Sequence, residues 1–149
     1  MIVRLATMDD VEQIYNIEVD CFSIPWSLES IQHELENSDK KFYVVIEDED
    51  RLIGYGGAWL VADEGQITNI AVRKDYRRDG YGAMITRKLV KECFKRGMTE
   101  IFLEVRISNL AALALYRRLG FAVKGLRKDY YSEPTEDAYI MSLVKEEVE

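Results

Sequence analysis

The chain has few of the residues that build metal sites or disulfide frameworks. Its two cysteines, Cys21 and Cys93, lie far apart, and His33 is the only histidine among 149 residues. Such a chain offers few cysteine or histidine ligands for a metal ion, and isolated cysteines are typical of a reducing compartment. We therefore expect free thiols, no metal and a cytoplasmic protein.

Long apolar runs and chain-breaking residues are also scarce. No run approaches the roughly 18 apolar residues that a membrane helix requires, and the start of the chain does not look like a signal peptide. Pro25 and Pro134 are the only prolines, and no repeat or Pro/Gly-rich linker divides the sequence. A hydrophobic fraction of 48% in 149 residues predicts a single domain spanning residues 1–149, with no membrane partner.

Charge is distributed unevenly along the chain. Residues 1–64 hold 4 Lys/Arg against 15 Asp/Glu, a net charge of −11, and residues 65–149 hold 16 against 12, a net charge of +4. Two interpretations remain open: two differently solvated faces, or an anionic ligand on the second part and a cationic partner near the first. The acidic total, without a Lys/Arg stripe, does not favour direct nucleic-acid binding.

Hydrophobic spacing and caps predict the element order β-α-α-β-β-β-α-β-α-β-β. The predicted strands cover residues 2–5, 42–46, 52–61, 66–73, 99–106, 121–125 and 138–143. The predicted helices follow Thr7, Ser27, Gly80-Tyr81-Gly82 and Asn109. Tyr130, Tyr131 and Pro134 are expected in the loop between the last two strands. A meander followed by a β-α-β crossover predicts a mixed α/β protein around one central sheet.

Residues 70–82 form the most informative segment. The strand Ile70-Ala71-Val72 runs into a polar loop, and Gly80-Tyr81-Gly82 opens a helix. Unpaired N–H groups and the helix dipole favour an anion at such a helix start, and Arg77 and Arg78 add full charge. No Gly-Lys-Ser/Thr follows the glycines, so the segment is not a P-loop. Ile85 stands where a dinucleotide-binding fingerprint has its third glycine, so that motif is excluded as well. A tight turn without a ligand remains the alternative.

The pattern Arg77-x-x-Gly80-x-Gly82 resembles the pyrophosphate loop of the GNAT acetyltransferases. This resemblance implies a GNAT fold, with a central mixed, mostly antiparallel sheet that contains a splayed parallel pair and is flanked by helices. It implies acetyl-CoA as the cosubstrate, with its pantetheine arm paired to the strand Ile70-Ala71-Val72. The residues implied to grip the pyrophosphate are Arg77, Arg78, Asp79, Gly80, Tyr81 and Gly82.

Three residues further along the chain invite both a functional and a structural interpretation. Glu104 is an acid in an apolar strand, where a charge needs a role or a partner, and Arg106 on the same strand face offers an ion pair. Tyr116 suits either proton transfer or core packing. Asn109 is most simply a helix N-cap.

The stretch Leu-Glu-Val-Arg-x-Ser-Asn-x-x-Ala-x-x-Leu-Tyr-x-x-Leu-Gly-Phe, residues 103–121, resembles that of the ribosomal-protein-alanine N-acetyltransferases. It is also similar to the catalytic subunits of protein N-terminal acetyltransferases. The resemblance implies Glu104 as the base, acting through a water, Tyr116 as the acid for the CoA thiolate, and Asn109 as a cofactor contact.

Two aromatic segments extend this resemblance to the acceptor site. Pro25-Trp26-Ser27 resembles the ribosomal-protein enzymes, and Tyr130-Tyr131 resembles both groups. The resemblance therefore implies that the acceptor contacts Pro25, Trp26, Tyr130 and Tyr131. The structural alternative is that these aromatic residues only pin their loops to the core.

The implied activity is direct acetyl transfer to the N-terminal α-amine of a protein, with the N-terminal alanine of a small-subunit ribosomal protein as acceptor. One alternative is a GNAT enzyme for a lysine side chain or a small-molecule amine. Another is a non-catalytic acyl-CoA-binding domain. We expect a protein N-terminus as the partner and a monomer or weak oligomer.

Overall fold

The computed structural model describes residues 1–36, 38–77 and 79–146. The strands are β1 Ile2–Leu5, β2 Lys41–Asp48, β3 Arg51–Val61, β4 Glu64–Val72, β5 Glu100–Arg106, β6 Ala122–Tyr131 and β7 Glu136–Val144. The α-helices are α1 Val11–Cys21, α2 Leu28–Leu35, α3 Tyr81–Lys95 and α4 Leu110–Arg118. Short 3₁₀ turns at Met8–Asp10 and Lys74–Tyr76 precede α1 and α3. The predicted order of strands and α-helices is confirmed.

All seven strands join one sheet in the order β1-β2-β3-β4-β5-β7-β6. Every pair is antiparallel except β4 and β5, which run parallel. That parallel contact consists of only three residue pairs, from Glu64–Glu100 to Gln66–Phe102, and beyond it the two strands separate. The predicted mixed, mostly antiparallel sheet with a splayed parallel pair is therefore confirmed.

A β-bulge lies where β4 leaves β5. On the β3 side, Gly57 pairs with Asn69 but the next residue, Ala58, pairs with Ile67, so Thr68 is the extra residue. A bulge of this kind bends its strand and increases the local twist. The bulge therefore accompanies the divergence of β4 from its parallel neighbour.

The sheet has two covered faces because side chains alternate along each strand. On the first, the α3 face, a buried cluster joins α3 and α4 to β2–β5, with Ile85, Leu89 and Leu103 at its centre. On the second, the α1 face, a separate cluster joins α1 and α2 to the strands through Ile14 and Ile31. Glu104 alternates with Leu103 along β5 and therefore points away from the α3 face.

Helix boundaries follow local side-chain chemistry. The Ser27 hydroxyl accepts a hydrogen bond from the Ser30 amide at 3.1 Å, and Asn109 Oδ1 accepts one from the Ala112 amide at 3.1 Å, so both predicted N-caps are present. Gly97 and Gly120 follow α3 and α4 with φ angles of +93° and +101°, which glycine adopts without a side-chain clash.

The end of the chain corrects one sequence-based expectation. Tyr130 and Tyr131 do not lie in a loop, because β6 continues to Tyr131, which pairs with Glu136. The strand pattern is hidden by register irregularities at Val123–Gly125 and Arg127–Tyr131, and Asp129 has a positive φ of 52°. An irregular, largely exposed edge strand lacks the apolar alternation on which the prediction depended.

Packing between β2 and β3 generates a stability prediction. A Cβ atom on Gly57 would overlap the ring of Tyr43, whose hydroxyl is held by Glu34 at 2.7 Å. We expect Gly57→Ala to lower the free energy of unfolding in urea by about 1–3 kcal/mol, the usual cost of overpacking. Gly125→Ala is the matched control, because its Cβ would meet Ile140 at an ordinary 3.6 Å. Equal unfolding free energies for the two variants would contradict this account.

Candidate active site

The separation of β4 from β5 opens a cleft between the two halves of the sheet. Past Gln66, β4 pairs only with β3, so the edge of residues 67–72 that faces β5 has no strand partner in the described chain. Helix α3 begins after the loop that follows β4, and so the cleft and the start of α3 adjoin. An exposed strand edge next to a helix N-terminus suits a ligand with an amide-containing arm and an anionic group.

The start of α3 has the properties of an anion site. Gly80 occupies its N-cap with φ +84°, no side chain of the described residues caps it, and its first turn holds no acidic residue. A Cβ on Gly80 would meet nothing within 4 Å, so the approach to the first N–H groups is open. These groups therefore remain available to an oxyanion, and the helix dipole favours one there.

The described residues of the predicted pyrophosphate loop lie around this helix start. Asp79 and Gly80 are exposed, while Tyr81 and Gly82 are half-buried. Arg77 is exposed, and its Nε donates to the carbonyl of Val72, the last residue of β4, at 3.2 Å. Arg78 lies outside the described residues.

The predicted pantetheine strand is only partly open. Ala71 is buried on the α1 face, while Ile70 and Val72 pack against the α3-face core. The Val72 carbonyl accepts hydrogen bonds from Cys21 Sγ at 3.2 Å and from Arg77. The peptide groups nearer the bulge are consequently the better candidates for a strand-like ligand.

Glu104 lies on β5 beside the split. Its side chain is 13% exposed; one carboxylate oxygen accepts a hydrogen bond from Gln66 Nε2 at 2.8 Å, and the other lies 3.5 Å from Arg127 Nε. Because Gln66 belongs to the last pair before β4 and β5 separate, it holds Glu104 at the point where the cleft begins.

The alternative ion pair between Glu104 and Arg106 is wrong. Arg106 Nη1 instead donates to Glu136 Oε1 at 3.2 Å and to the Pro134 carbonyl at 3.0 Å. Its guanidinium also lies 4.3 Å from the centre of the Tyr131 ring. These partners come from the β6–β7 turn and the first residue of β7, and Glu104 is instead held by Gln66 and Arg127.

Tyr116 approaches from the other face of the sheet. It is half-buried on α4, packs against the α3-face core, and meets the Phe121 ring edge-to-face at 5.9 Å. A Cβ built on Gly82 would lie 3.9 Å from Leu115, which places α4 beside the first turn of α3. Burial raises the pKa of Tyr116 to about 12, so its hydroxyl is protonated at neutral pH and able to donate.

The double tyrosine stands next to the Glu104 carboxylate. The Tyr130 and Tyr131 rings meet edge-to-face at 4.9 Å, and Arg127 lies 5.8 Å from the Tyr130 ring centre. Burial, Tyr130 and Glu104 raise the pKa of Tyr131 to about 12, against the opposing charge of Arg106. Tyr130 remains 49% exposed, so the pair offers an accessible aromatic wall beside the acid.

The Pro25-Trp26 segment is half-buried rather than fully exposed. Trp26 packs against the α1-face cluster, as the structural alternative expected, and its backbone N–H donates to Glu18 Oε1 at 3.0 Å. The segment is therefore held in place, and its aromatic ring is partly accessible at the edge of that cluster. Asn109 likewise has a complete structural explanation as the cap of α4.

Sequence reasoning missed five residues around the cleft. Gln66 and Arg127 hold the Glu104 carboxylate, while Glu18, Tyr55 and Asn69 form a hydrogen-bonded chain on the α1 face. Glu18 carried a usable signal, since it lies between the apolar positions of an amphipathic helix. The other four gave none, because strand register decides what they face.

Across residues 1–36, 38–77 and 79–146, no three or more His, Cys, Asp or Glu side chains are grouped as a metal site would require. No helix within the same ranges has both the length and the apolar character needed to cross a membrane.

Known proteins identify the family. The pattern described as the acetyltransferase (GNAT) family matches residues 11–121. A Bacillus subtilis protein provisionally named ribosomal protein bS18-alanine N-acetyltransferase is 40% identical over 93% of this chain and 92% of its own. An Escherichia coli protein named ribosomal protein bS18-alanine N-acetyltransferase is 35% identical over 90% of each chain.

Solved structures agree with the sequence matches. The crystal structure of the Escherichia coli ribosomal-protein-S18-alanine N-acetyltransferase superposes with a TM-score of 0.86 at 32% identity, covering 96% of this chain and 92% of that one. With a helix start and strand edge that suit its cosubstrate, this chain is an acetyl-CoA-dependent N-acetyltransferase, and it belongs to the GNAT acetyltransferase family.

Proposed function

We propose that this protein transfers the acetyl group of acetyl-CoA to the N-terminal α-amine of a ribosomal protein, with alanine as the first residue. The observation that carries the proposal is the placement of Glu104 and Tyr116, which approach the β4–β5 split from opposite faces of the sheet. The acceptor class rests on relatives at 40% and 35% identity that bear the name of a ribosomal protein bS18-alanine N-acetyltransferase.

The residues around the cleft fit acetyl-CoA. The loop from Arg77 and the uncapped start of α3 at Gly80–Gly82 would hold the pyrophosphate. The open edge of β4 between the bulge and residues 70–72 would pair with the pantetheine arm, mainly through the peptide groups nearer the bulge, because the Val72 carbonyl already accepts from Cys21 and Arg77. When bound, acetyl-CoA supplies a thioester that an amine can attack and a thiolate that can leave. Asn109 at the start of α4 remains a predicted contact of the cosubstrate.

Glu104 prepares the acceptor amine. An α-amine has a pKa of about 7.7–8.0, so much of it is protonated at neutral pH and must lose a proton before it can attack. The Glu104 carboxylate, oriented by Gln66 at 2.8 Å, takes this proton through a water. Placing the base at the mouth of the split puts it on the acceptor side of the sheet.

Tyr116 serves the departing sulfur. Its hydroxyl is protonated at neutral pH, and burial raises its pKa further, to about 12. It therefore donates to the sulfur as negative charge builds there, from the face that carries α3 and α4. Acid and base are thus placed on opposite faces of the sheet.

The acceptor's first residues are proposed to lie between two walls. One is formed by Pro25 and Trp26 at the edge of the α1-face cluster, and the other by Tyr130 and Tyr131 on β6. Aromatic walls can enclose a peptide backbone, and the neighbouring Glu104 suits its positive N-terminus. The α-amine, rather than a long side chain, would then reach the split.

A matched peptide pair tests the proposed acceptor. Both peptides have a ribosomal-protein-like sequence that starts with alanine and contains an internal lysine, and one is blocked at its α-amine. We expect thiol release from acetyl-CoA with the free peptide only, because only its α-amine enters between the walls. Equal release with both would identify lysine as the acceptor, and release with neither, despite acetyl-CoA binding, would overturn peptide acetylation.

Replacement of the proposed acid separates chemistry from binding. We expect Tyr116→Phe to lower kcat about 100-fold, within the usual range for loss of a general acid, and to change the Kd of acetyl-CoA by less than about threefold. Tyr15→Phe is the control, because Tyr15 packs against the α1-face cluster, away from α4. Steady-state kinetics and calorimetry measure both quantities; an unchanged kcat in Tyr116→Phe would remove this residue from the mechanism.

The opposite ends of α3 test the anion site. Gly80 and Gly97 have φ angles of +84° and +93°, and a Cβ atom on either residue would meet nothing within 4 Å. Alanine should therefore lower the free energy of unfolding by a similar amount at each position, about 1–2 kcal/mol. Only Gly80→Ala should weaken acetyl-CoA binding, by about tenfold, because only Gly80 shapes the helix N-terminus. Calorimetric titration should show Gly97→Ala binding like the unchanged protein; equal losses would argue against this helix start as the pyrophosphate site.

A further inference from the structure

Glu18 is a buried carboxylate that the proposed mechanism does not use. It is 3% exposed on α1, and within residues 1–36, 38–77 and 79–146 no Lys or Arg pairs with it. Its two oxygens instead accept hydrogen bonds from neutral donors, the Trp26 amide at 3.0 Å and the Tyr55 hydroxyl at 2.5 Å. A buried carboxylate is costly unless its oxygens are hydrogen-bonded, so Glu18 depends on the Trp26 amide and the Tyr55 hydroxyl that satisfy it.

The hydrogen bonds continue from Glu18 to the bulge of β4. Asn69 Nδ2 donates to the Tyr55 hydroxyl oxygen at 2.7 Å, and Thr68 Oγ1 donates to Asn69 Oδ1 at 2.9 Å. Thr68 is the extra residue of the bulge, where β4 leaves β5. One chain of side chains thus runs from the backbone of the Pro25-Trp26 segment, through the sheet core, to the start of the cleft.

This series of hydrogen bonds joins two parts of the site that lie on different structural elements. Trp26 belongs to the segment between α1 and α2, whereas Thr68 and Asn69 belong to the strand whose open edge faces the cleft. Acyl transfer requires the attacking and attacked atoms to lie about 3–3.5 Å apart, and a misplacement of about 1 Å can cost 100-fold in rate. A rigid link between acceptor wall and cleft edge would set that separation.

We propose that Glu18 is a positioning residue that fixes the Trp26 acceptor wall relative to the β4 bulge through Tyr55 and Asn69. The proposal rests on the function proposed above, because it assigns the acceptor to the Trp26 side of the cleft. A carboxylate suits this position because two donors meet there, and its two oxygens give the Trp26 N–H and the Tyr55 hydroxyl an acceptor each.

Glu18→Gln changes one oxygen to NH₂ with little change in shape. The Tyr55 hydroxyl is buried, and Asn69 presents an N–H donor to it, so the remaining amide oxygen of the variant should stay with Tyr55. The Trp26 amide is only partly buried and can turn to water. We therefore expect the amide hydrogen of Trp26 to exchange about tenfold faster in Glu18→Gln, and at its original rate in Tyr55→Phe, which keeps the carboxylate.

Kinetics with the free alanine peptide test the coupling. Glu18→Gln and Tyr55→Phe should each lower kcat/KM for the peptide at least tenfold, while the Kd of acetyl-CoA changes by less than about threefold. Because both substitutions interrupt one chain, the double variant should be no more than about twofold worse than the more damaged single variant. Tyr15→Phe on α1 is the control, and each variant's thermal transition verifies that it is folded.

The outcomes separate this inference from the function on which it rests. If the unchanged protein fails to acetylate the free peptide, the proposed function falls and the link to Trp26 loses its purpose. If the unchanged protein is active but Glu18→Gln keeps its kcat/KM within threefold, the positioning role is wrong. Effects that multiply in the double variant, or an equal loss of acetyl-CoA affinity, would instead show that Glu18 only supports the fold.

Discussion

The short parallel contact between β4 and β5 is the constraint on which the rest of the site depends. Three residue pairs hold the strands together, and the bulge at Thr68 then bends β4 away while its other edge stays paired with β3. The resulting opening gives a ligand access to unpaired backbone and joins the two faces of an otherwise closed sheet. A fully paired β4 would leave Glu104 and Tyr116 on opposite sides of a continuous barrier.

Carboxylates on the α1 side of the sheet are held by donors from neighbouring elements. Glu34 accepts from the Tyr43 hydroxyl at 2.7 Å, from Trp59 Nε1 at 2.9 Å and from Lys41 Nζ at 2.9 Å, and so ties α2 to β2 and β3. Glu104 is held by Gln66 and Arg127, and Glu18 by neutral donors alone. Since a buried charge must be satisfied, each acid also locks the geometry of the elements that satisfy it.

Sequence-based prediction succeeded where a local interaction decides the structure. Ser27 and Asn109 cap α2 and α4 as predicted, because an N-cap depends on a few consecutive residues. It was wrong about Tyr130 and Tyr131, because an exposed edge strand with irregular register has no regular apolar alternation. It also offered Arg106 as a partner of Glu104, although the turn between β6 and β7 supplies Arg106 with Glu136 and a carbonyl instead.

The sequence by itself determined the element order, the glycine-started helix that suits an anion, and the family resemblance carried by residues 77–82 and 103–121. These features depend on consecutive residues, whose spacing and backbone preferences are local properties. Only the tertiary structure decided which side chains hold Glu104, where Arg106 points, and how Glu18 reaches the β4 bulge through Tyr55 and Asn69. These contacts join residues up to 38 positions apart, and strand register, which depends on the whole sheet, brings them within hydrogen-bonding distance.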